Sequence, residues 1–291
     1  MAQTEELSMD LPFKIDLAGK VAVVTGGSGV LCSEFCRALA ACGARVAVIG
    51  RHGEGAAAVA RAIVADGGTA VAYQVDVTDR RGLEELHERV RADLGKCDIL
   101  INGAGGNSPA ASTTHEHYQA GDLEAPDVRT FFELDPASVA GVFELNVLGA
   151  MMTTQVFARD MLDRPGGCVL NISSMNAFRP LTKIPAYSAA KAAVSNFTEW
   201  LAVHLCKAGV RVNAIAPGFF LARQNHDLLF NRDGTPTERS AKILAATPMN
   251  RFGKTEELLG TLLFLLSDEA SGFVTGIVIP VDGGFSAYSG V

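Results

Sequence analysis

An α/β fold built on one doubly wound parallel sheet of about seven strands is predicted by three features of the sequence. Short β-rich runs alternate with helix-length segments from about residue 20 to the C-terminal end. The runs are continuously apolar instead of alternating, as expected of strands covered on both faces. No linker interrupts the rhythm, so a single domain over 17–291 follows a tail at 1–16. Parallel strands joined through helices require right-handed crossovers, which place helices on both faces of the sheet.

The elements follow in order. "KVAVVT" (20–25) is the first strand, and the turn "TGGSGVLC" (25–32) leads from it into a helix. "RVAVIG" (45–50) and "AVAYQV" (70–75) are the second and third strands, and "DRRGLEELHERVRADLG" (79–95) reads as a helix. "CDILIN" (97–102), "GCVLNIS" (167–173), "VRVNAIA" (210–216) and "GIVIPV" (276–281) complete the strands, with a long helix in "AYSAAKAAVSNFTEWLAVHLCKAG" (186–209). Residues 106–136 and 217–253 break the rhythm. They follow the fourth and sixth strands, at the carboxyl ends where open α/β sheets bind ligands.

Composition narrows the function. The chain has 25 Lys and Arg against 32 Asp and Glu, a net charge of −7, without a basic run. Nucleic acid and anionic membrane are poor partners for such a surface. The acidic N-terminal stretch is no secretory signal, and the unbroken apolar run at 258–266 is too short to span a bilayer. Six scattered cysteines without a C-x-x-C pair read as reduced thiols of a cytoplasmic protein. His115, Glu116 and His117 read as a solvated loop, and no metal site is expected.

The turn after the first strand reads Gly27-Ser28-Gly29-Val30-Leu31-Cys32. It approaches the Rossmann fingerprint G-x-G-x-x-G/A, whose glycines permit a tight turn, close pyrophosphate approach and close helix packing. Cys32 is small and apolar, so it costs packing room while the helix N–H groups remain free for an anion. Gly26, Gly27, Ser28, Gly29, Val30 and Leu31 are therefore candidate cofactor contacts. A glycine-rich turn before a core helix would look the same without a cofactor. Cys32 could also be a reactive thiol at a helix N-terminus, although it has no evident partner. The second strand ends in Gly50-Arg51, where an NAD-selective site would carry an acid. Arg51 can pair with a 2′-phosphate, which tilts the expected cofactor toward NADP(H) over NAD(H).

Tyr187 and Lys191 stand four residues apart at the start of the long helix, on one face. An ammonium beside a phenol favours the phenolate and would lower the tyrosine pKa from its usual value near ~10. Tyr187 is then a candidate general acid or base. Ser174, ending the preceding strand, can hydrogen-bond a substrate oxygen.

With these residues, "NGAG" (102–105), "ELNVLGA" around Asn146 and "NAIAPGFF" with Pro217 and Gly218 together resemble the short-chain dehydrogenase/reductase family from about Lys20 to Gly284. The resemblance implies a catalytic tetrad of Asn146, Ser174, Tyr187 and Lys191 in an NAD(P)-dependent oxidoreductase. It implies that Asn146 supports a water-linked proton path to Lys191, and that Lys191 holds the nicotinamide ribose. It assigns Asp76 and Val77 to the adenine, and Asn102 and Ala104 to the cofactor's wall. It also implies a homo-oligomer, a tetramer formed through helices around 136–163 and 185–208. Val30 and Cys32 replace the last two glycines of the family's T-G-x-x-x-G-x-G, and Ala222 stands where a threonine is common.

Several stretches, among them "ISSMNAFRPLTKIPAYSAAKAAVSNFTEWLA" and "TPMNRFG", are similar to those of the family's bacterial D-mannonate oxidoreductases (D-fructuronate reductases). That resemblance implies an anionic polyol substrate. Asn176, Arg179, Thr182 and Lys183 lie between Ser174 and Tyr187 and suit a sugar carboxylate; Arg223, Gln224 and Asn225 could add contacts. The candidate substrate residues are Ser174, Asn176, Lys183, Tyr187 and Gln224. Other readings are reduction of a different keto-sugar acid or a 3-oxoacyl thioester, or a non-catalytic dinucleotide-sensing scaffold.

Overall fold

The computed structural model describes residues 15–162, 164–221 and 229–290. Seven strands pair in parallel: β1 (Val21–Thr25), β2 (Arg45–Gly50), β3 (Thr69–Gln74), β4 (Ile99–Asn102), β5 (Gly167–Ile172), β6 (Val210–Pro217) and β9 (Val278–Val281). Their order is β3-β2-β1-β4-β5-β6-β9, and β7 (Phe220–Leu221) and β8 (Gly253–Lys254) form a separate two-stranded pair. All seven strands expected from the sequence are present. The order reverses at β1, which pairs with β2 on one side and β4 on the other. A doubly wound sheet opens its ligand crevice at such a point.

Alternate residues of each strand supply opposite faces. Ala22 and Val24 of β1 join one core with Phe35 and Leu39 of α1 (Val30–Ala41), Ile63 of α2 (Gly53–Ala65) and Leu262 of the C-terminal helix Leu259–Leu266. Val21 and Val23 join the other with Leu83 and Leu86 of α3 (Arg80–Asp93), Phe157 of α5 (Gly149–Phe157) and Leu201 of α6 (Pro185–Leu205). The central strands are buried throughout, which explains their unbroken apolar runs. The edge strands β3 and β9 are half-exposed. Pro280, which has no N–H, sits in edge strand β9, where a strand tolerates it best.

Before α5, the chain forms α4 (Pro136–Phe143) and then a π-helical turn, Glu144–Leu148. Within the combined run 136–161 an 18-residue stretch reaches a mean hydropathy of 1.2, the one helical stretch among the described residues long and apolar enough to cross a membrane by length and composition alone. It packs on α3 and α6. Its buried positions include the polar Asn146, Thr153 and Thr154 as well as apolar side chains.

The insert at 106–136 is compact. Thr114 N donates to Arg129 O (2.9 Å), Arg129 N returns a bond to Thr114 Oγ1 (2.9 Å), and Arg129 Nη1 reaches Pro109 O (2.7 Å). His115 Nδ1 lies 3.1 Å from Asp122 Oδ1, and the described residues contain no cluster suited to a metal ion. In the 217–253 segment, α7 (Glu238–Ala246) contributes Ile243 to a small core with Leu229 and Phe252.

Candidate active site

The turn after β1 is shaped by what its glycines exclude. Gly26 has φ +64°, and a Cβ there would stand 2.8 Å from Gly103 O; at Gly27 it would stand 2.8 Å from Val48 Cγ1. Gly29 caps α1 with no side-chain bond to the helix N–H groups, which are left for a ligand. Thr25 Oγ1 accepts from the N–H groups of Gly103 and Ala104 at 3.1 and 3.2 Å, clasping the end of β1 to the turn after β4.

Cys32 takes the third glycine's place because Gly103 gives it room. A Cβ at Gly103 would collide with Cys32 Sγ, so the small residue missing from the turn reappears across the sheet. Burial pushes the Cys32 thiol up to about 12, so at neutral pH it is a packing group and not a thiolate. Cys36 lies one turn on, and burial raises its pKa too.

A cavity of about 270 Å³ runs from this turn to the end of β6. Gly26, Gly29, Val30, Leu31 and Cys32 line one side, Gly103 and Gly105 the floor, and Ser174, Tyr187, Lys191, Pro217 and Gly218 the other. A glycine-lined cradle at a bare helix N-terminus fits a dinucleotide pyrophosphate, which Gly26, Gly29 and the first N–H groups of α1 would hold.

Ser174 follows β5, its Oγ accepts from Asn176 N at 3.2 Å, and it shares the cavity wall with Tyr187. Lys191, one turn after Tyr187 on α6, is buried; its Nζ donates to Ile172 O at 2.8 Å and lies 5.6 Å from the tyrosine ring centre. Burial pushes the Tyr187 phenol above its ordinary value, and Ser174 beside it offsets only part of this. Burial also pulls Lys191 down to about 8. The expectation that Lys191 sets the tyrosine pKa is therefore corrected: desolvation dominates both groups and moves each toward its neutral form.

Asn146 lies in the π turn, and both N–H donors of its side chain are used. Its Nδ2 donates to Gly106 O (2.7 Å) and Val142 O (2.8 Å), and its Oδ1 accepts from Gly106 N (3.2 Å). Between it and Lys191 stands Gly105, where a Cβ would lie 2.6 Å from Asn146 Oδ1 and 3.1 Å from Lys191 Nζ. Asn146 thus pins the first residue of the insert beside the lysine.

Other expected positions divide. Asn102 does not line the cavity: its Nδ2 donates to Thr154 Oγ1 and Asn171 Oδ1, both at 2.9 Å. Asn171 extends the row to Thr198 Oγ1 at 2.9 Å, forming a buried polar line from α5 to α6 that sequence reasoning missed. An asparagine in each of two apolar strands was its only signal. Ala104 contributes its N–H to the Thr25 clasp. Asp76 accepts from Thr78 N and Oγ1, and these bonds hold its carboxyl below the usual range with help from nearby Arg51. Val77 is buried against Gly149. Ser28 fills the space between Gly50 and Gly55, beside the exposed Arg51. Asn176 is buried, with no partner in the described residues for its Oδ1, and Lys183 is exposed. Gln224, with Ala222, Arg223 and Asn225, lies outside the described residues.

Known proteins share this arrangement. The family model described as short chain dehydrogenase matches residues 20–231. An uncharacterized oxidoreductase of Bacillus subtilis, UxuB, is 54% identical over 281 residues, 97% of this chain and all of its own. A crystal structure from Haemophilus influenza, of a protein provisionally named D-mannonate oxidoreductase with bound NAD, superposes with a TM-score of 0.92 at 53% identity, covering 97% of this chain and 100% of that one. A gluconate 5-dehydrogenase from Burkholderia cenocepacia, in complex with NADP and tartrate, has a TM-score of 0.78 at 28% identity, covering 95% and 99%. The glycine turn, the Ser174–Tyr187–Lys191 group and these likenesses agree: the chain belongs to the short-chain dehydrogenase/reductase family and is a nicotinamide-dependent oxidoreductase.

Proposed function

We propose that the protein interconverts a secondary alcohol and a ketone on an anionic sugar acid, namely D-mannonate and D-fructuronate. The observation that carries the reading is the convergence of Ser174, Tyr187 and the buried Lys191 on the wall of one glycine-lined cavity. When bound, the nicotinamide cofactor supplies the hydride to the ketone carbon in reduction, or takes it in oxidation. Ser174 holds the carbonyl oxygen, and Tyr187 gives that oxygen its proton as the hydride arrives. Lys191 binds the nicotinamide ribose and returns a proton toward the phenol, and Asn146 positions the wall beside it. In the oxidative direction the same proton leaves the alcohol through Tyr187.

The sugar-acid assignment is supported by the H. influenza relative's name and by the polar character of the insert and of the Asn176–Lys183 loop. Arg51 and the absence of an acid at Gly50 favour NADP(H), although the relative with bound NAD indicates that the site's kin accept the unphosphorylated form. The exposed apolar side chains of Leu148, at the end of the π turn, and of Trp200 and Val203 on α6 support a homotetramer. Six free cysteines, four of them buried, support a reducing cytoplasmic setting.

A panel of keto-sugar acids and acetoacetyl thioester, assayed with both cofactors by nicotinamide absorbance, tests the reading. Turnover of D-fructuronate with little on the thioester is expected; activity on the thioester alone overturns it.

A further inference from the structure

In the sheet, β5 lies between β4 and β6, so Ser174 emerges between the two segments that leave those neighbours. Those segments are the insert (106–136) and the 217–253 segment, and they meet. Lys242 Nζ on α7 lies 3.0 Å from Glu116 Oε1 on the insert, a contact across 126 residues of sequence. A third element joins them: Thr113 N donates to Lys183 O at 3.0 Å, holding the loop before α6 against the insert. The Glu116 carboxyl is held below its ordinary range by Lys242 above all, and through space by Lys183 and His117. One carboxylate therefore sits beside a lysine of the 217–253 segment and within electrostatic reach of a lysine of the loop before α6, where the three segments that flank Ser174 in the sheet order meet. Glu238 also reaches Lys242, at 3.3 Å, but its side chain is 88% exposed and stands on the solvent side.

We propose that Glu116 occupies the place of a substrate carboxylate, and that Lys242 and Lys183 are the specificity-determining cations that receive the carboxylate when Glu116 yields. The inference rests on the reading of the substrate as a sugar acid. Both members of the Glu116–Lys242 pair are exposed. Such pairs shift an equilibrium by only about a few-fold, so an incoming anion can displace this one. A neutral ketone has nothing to exchange for Glu116 and gains nothing from the lysines. The pair thus discriminates by charge before chemistry begins.

The test compares a keto-uronate with the ketose of equal carbon number that lacks the carboxylate. The wild type, Glu116→Gln, Lys242→Met and Lys242→Arg are each assayed, with melting temperature as a check on folding. Glu116→Gln is expected to lower KM for the keto-uronate about threefold and to leave the ketose unchanged. Lys242→Met is expected to raise the keto-uronate KM about tenfold with kcat within about twofold, and Lys242→Arg to restore it. If both substrates move together in these variants, the pair is only a structural tie and the proposal is overturned. Tartrate, used as a competitive inhibitor, separates this proposal from the functional reading. Tighter inhibition of Glu116→Gln than of wild type sustains the carboxylate site whichever ketone is turned over, and unchanged inhibition removes it. A wild type that prefers the ketose overturns the sugar-acid reading instead.

Discussion

Cys32 Sγ packs against the Cα of Gly103, so positions on α1 and after β4 share the space of one side chain. Gly103→Ala should destabilise the protein by about 1–3 kcal/mol through overpacking and weaken cofactor binding. Cys32→Gly should recover part of that loss in the double variant, since Thr25 O also crowds position 103. Denaturant melts and cofactor titrations of both single variants and the double variant measure the coupling. Strict additivity would show that the two positions do not compete.

Tyr187→Phe removes the proposed proton donor while leaving the ring that lines the cavity. Turnover should fall by about 10²–10⁴ with cofactor affinity within about twofold of wild type. Stopped turnover with intact cofactor binding is the expected signature, and retained turnover would reassign the acid.

The depressed pKa of Lys191 has a stability consequence with a definite sign. Below about 8 the folded state holds a charged, buried ammonium, and between about 8 and the ordinary lysine value the unfolded state binds more protons. This group therefore costs stability at neutral pH, on the order of 3 kcal/mol, and the cost is relieved as pH rises through that window. Lys191→Met should be inactive yet gain relative stability at pH 7, with the difference from wild type shrinking between pH 8 and 10. Melting curves across that range check it.

Arg51→Ala should raise KM for NADPH about tenfold and leave NADH nearly unchanged. Parallel steady-state assays decide it, and equal shifts for both cofactors would place the guanidinium away from the 2′-phosphate.

Trp200 is the protein's single tryptophan, more than half exposed on α6 and stacked on His204. Trp200→Glu should split a tetramer into smaller species, read by light scattering. In wild type the indole emission should shift to the red on dilution below the assembly concentration.

The strands were legible because parallel strands buried on both faces leave an unbroken apolar record. The glycine turn and the Tyr187–Lys191 spacing were legible because both are local. What escaped the sequence is tertiary. The room for Cys32 depends on Gly103, 71 positions away, and the Asn102–Asn171 contact depends on β4 and β5 lying side by side. The pKa directions of Tyr187 and Lys191 also escaped, because spacing reports a neighbour's charge but not the water that burial removes.

The π turn at Glu144–Leu148 is an extra residue wound into a helix, and one residue is about 100° of rotation. Its presence sets the phase between Asn146, which stands across Gly105 from Lys191, and the stripe of α5 that lines a groove with Trp200. Deleting a residue there would turn one of these faces away while the other stayed in place. The turn therefore gears the wall beside Lys191 to the outer face of α5, and a change at either end of the helix is constrained by the other.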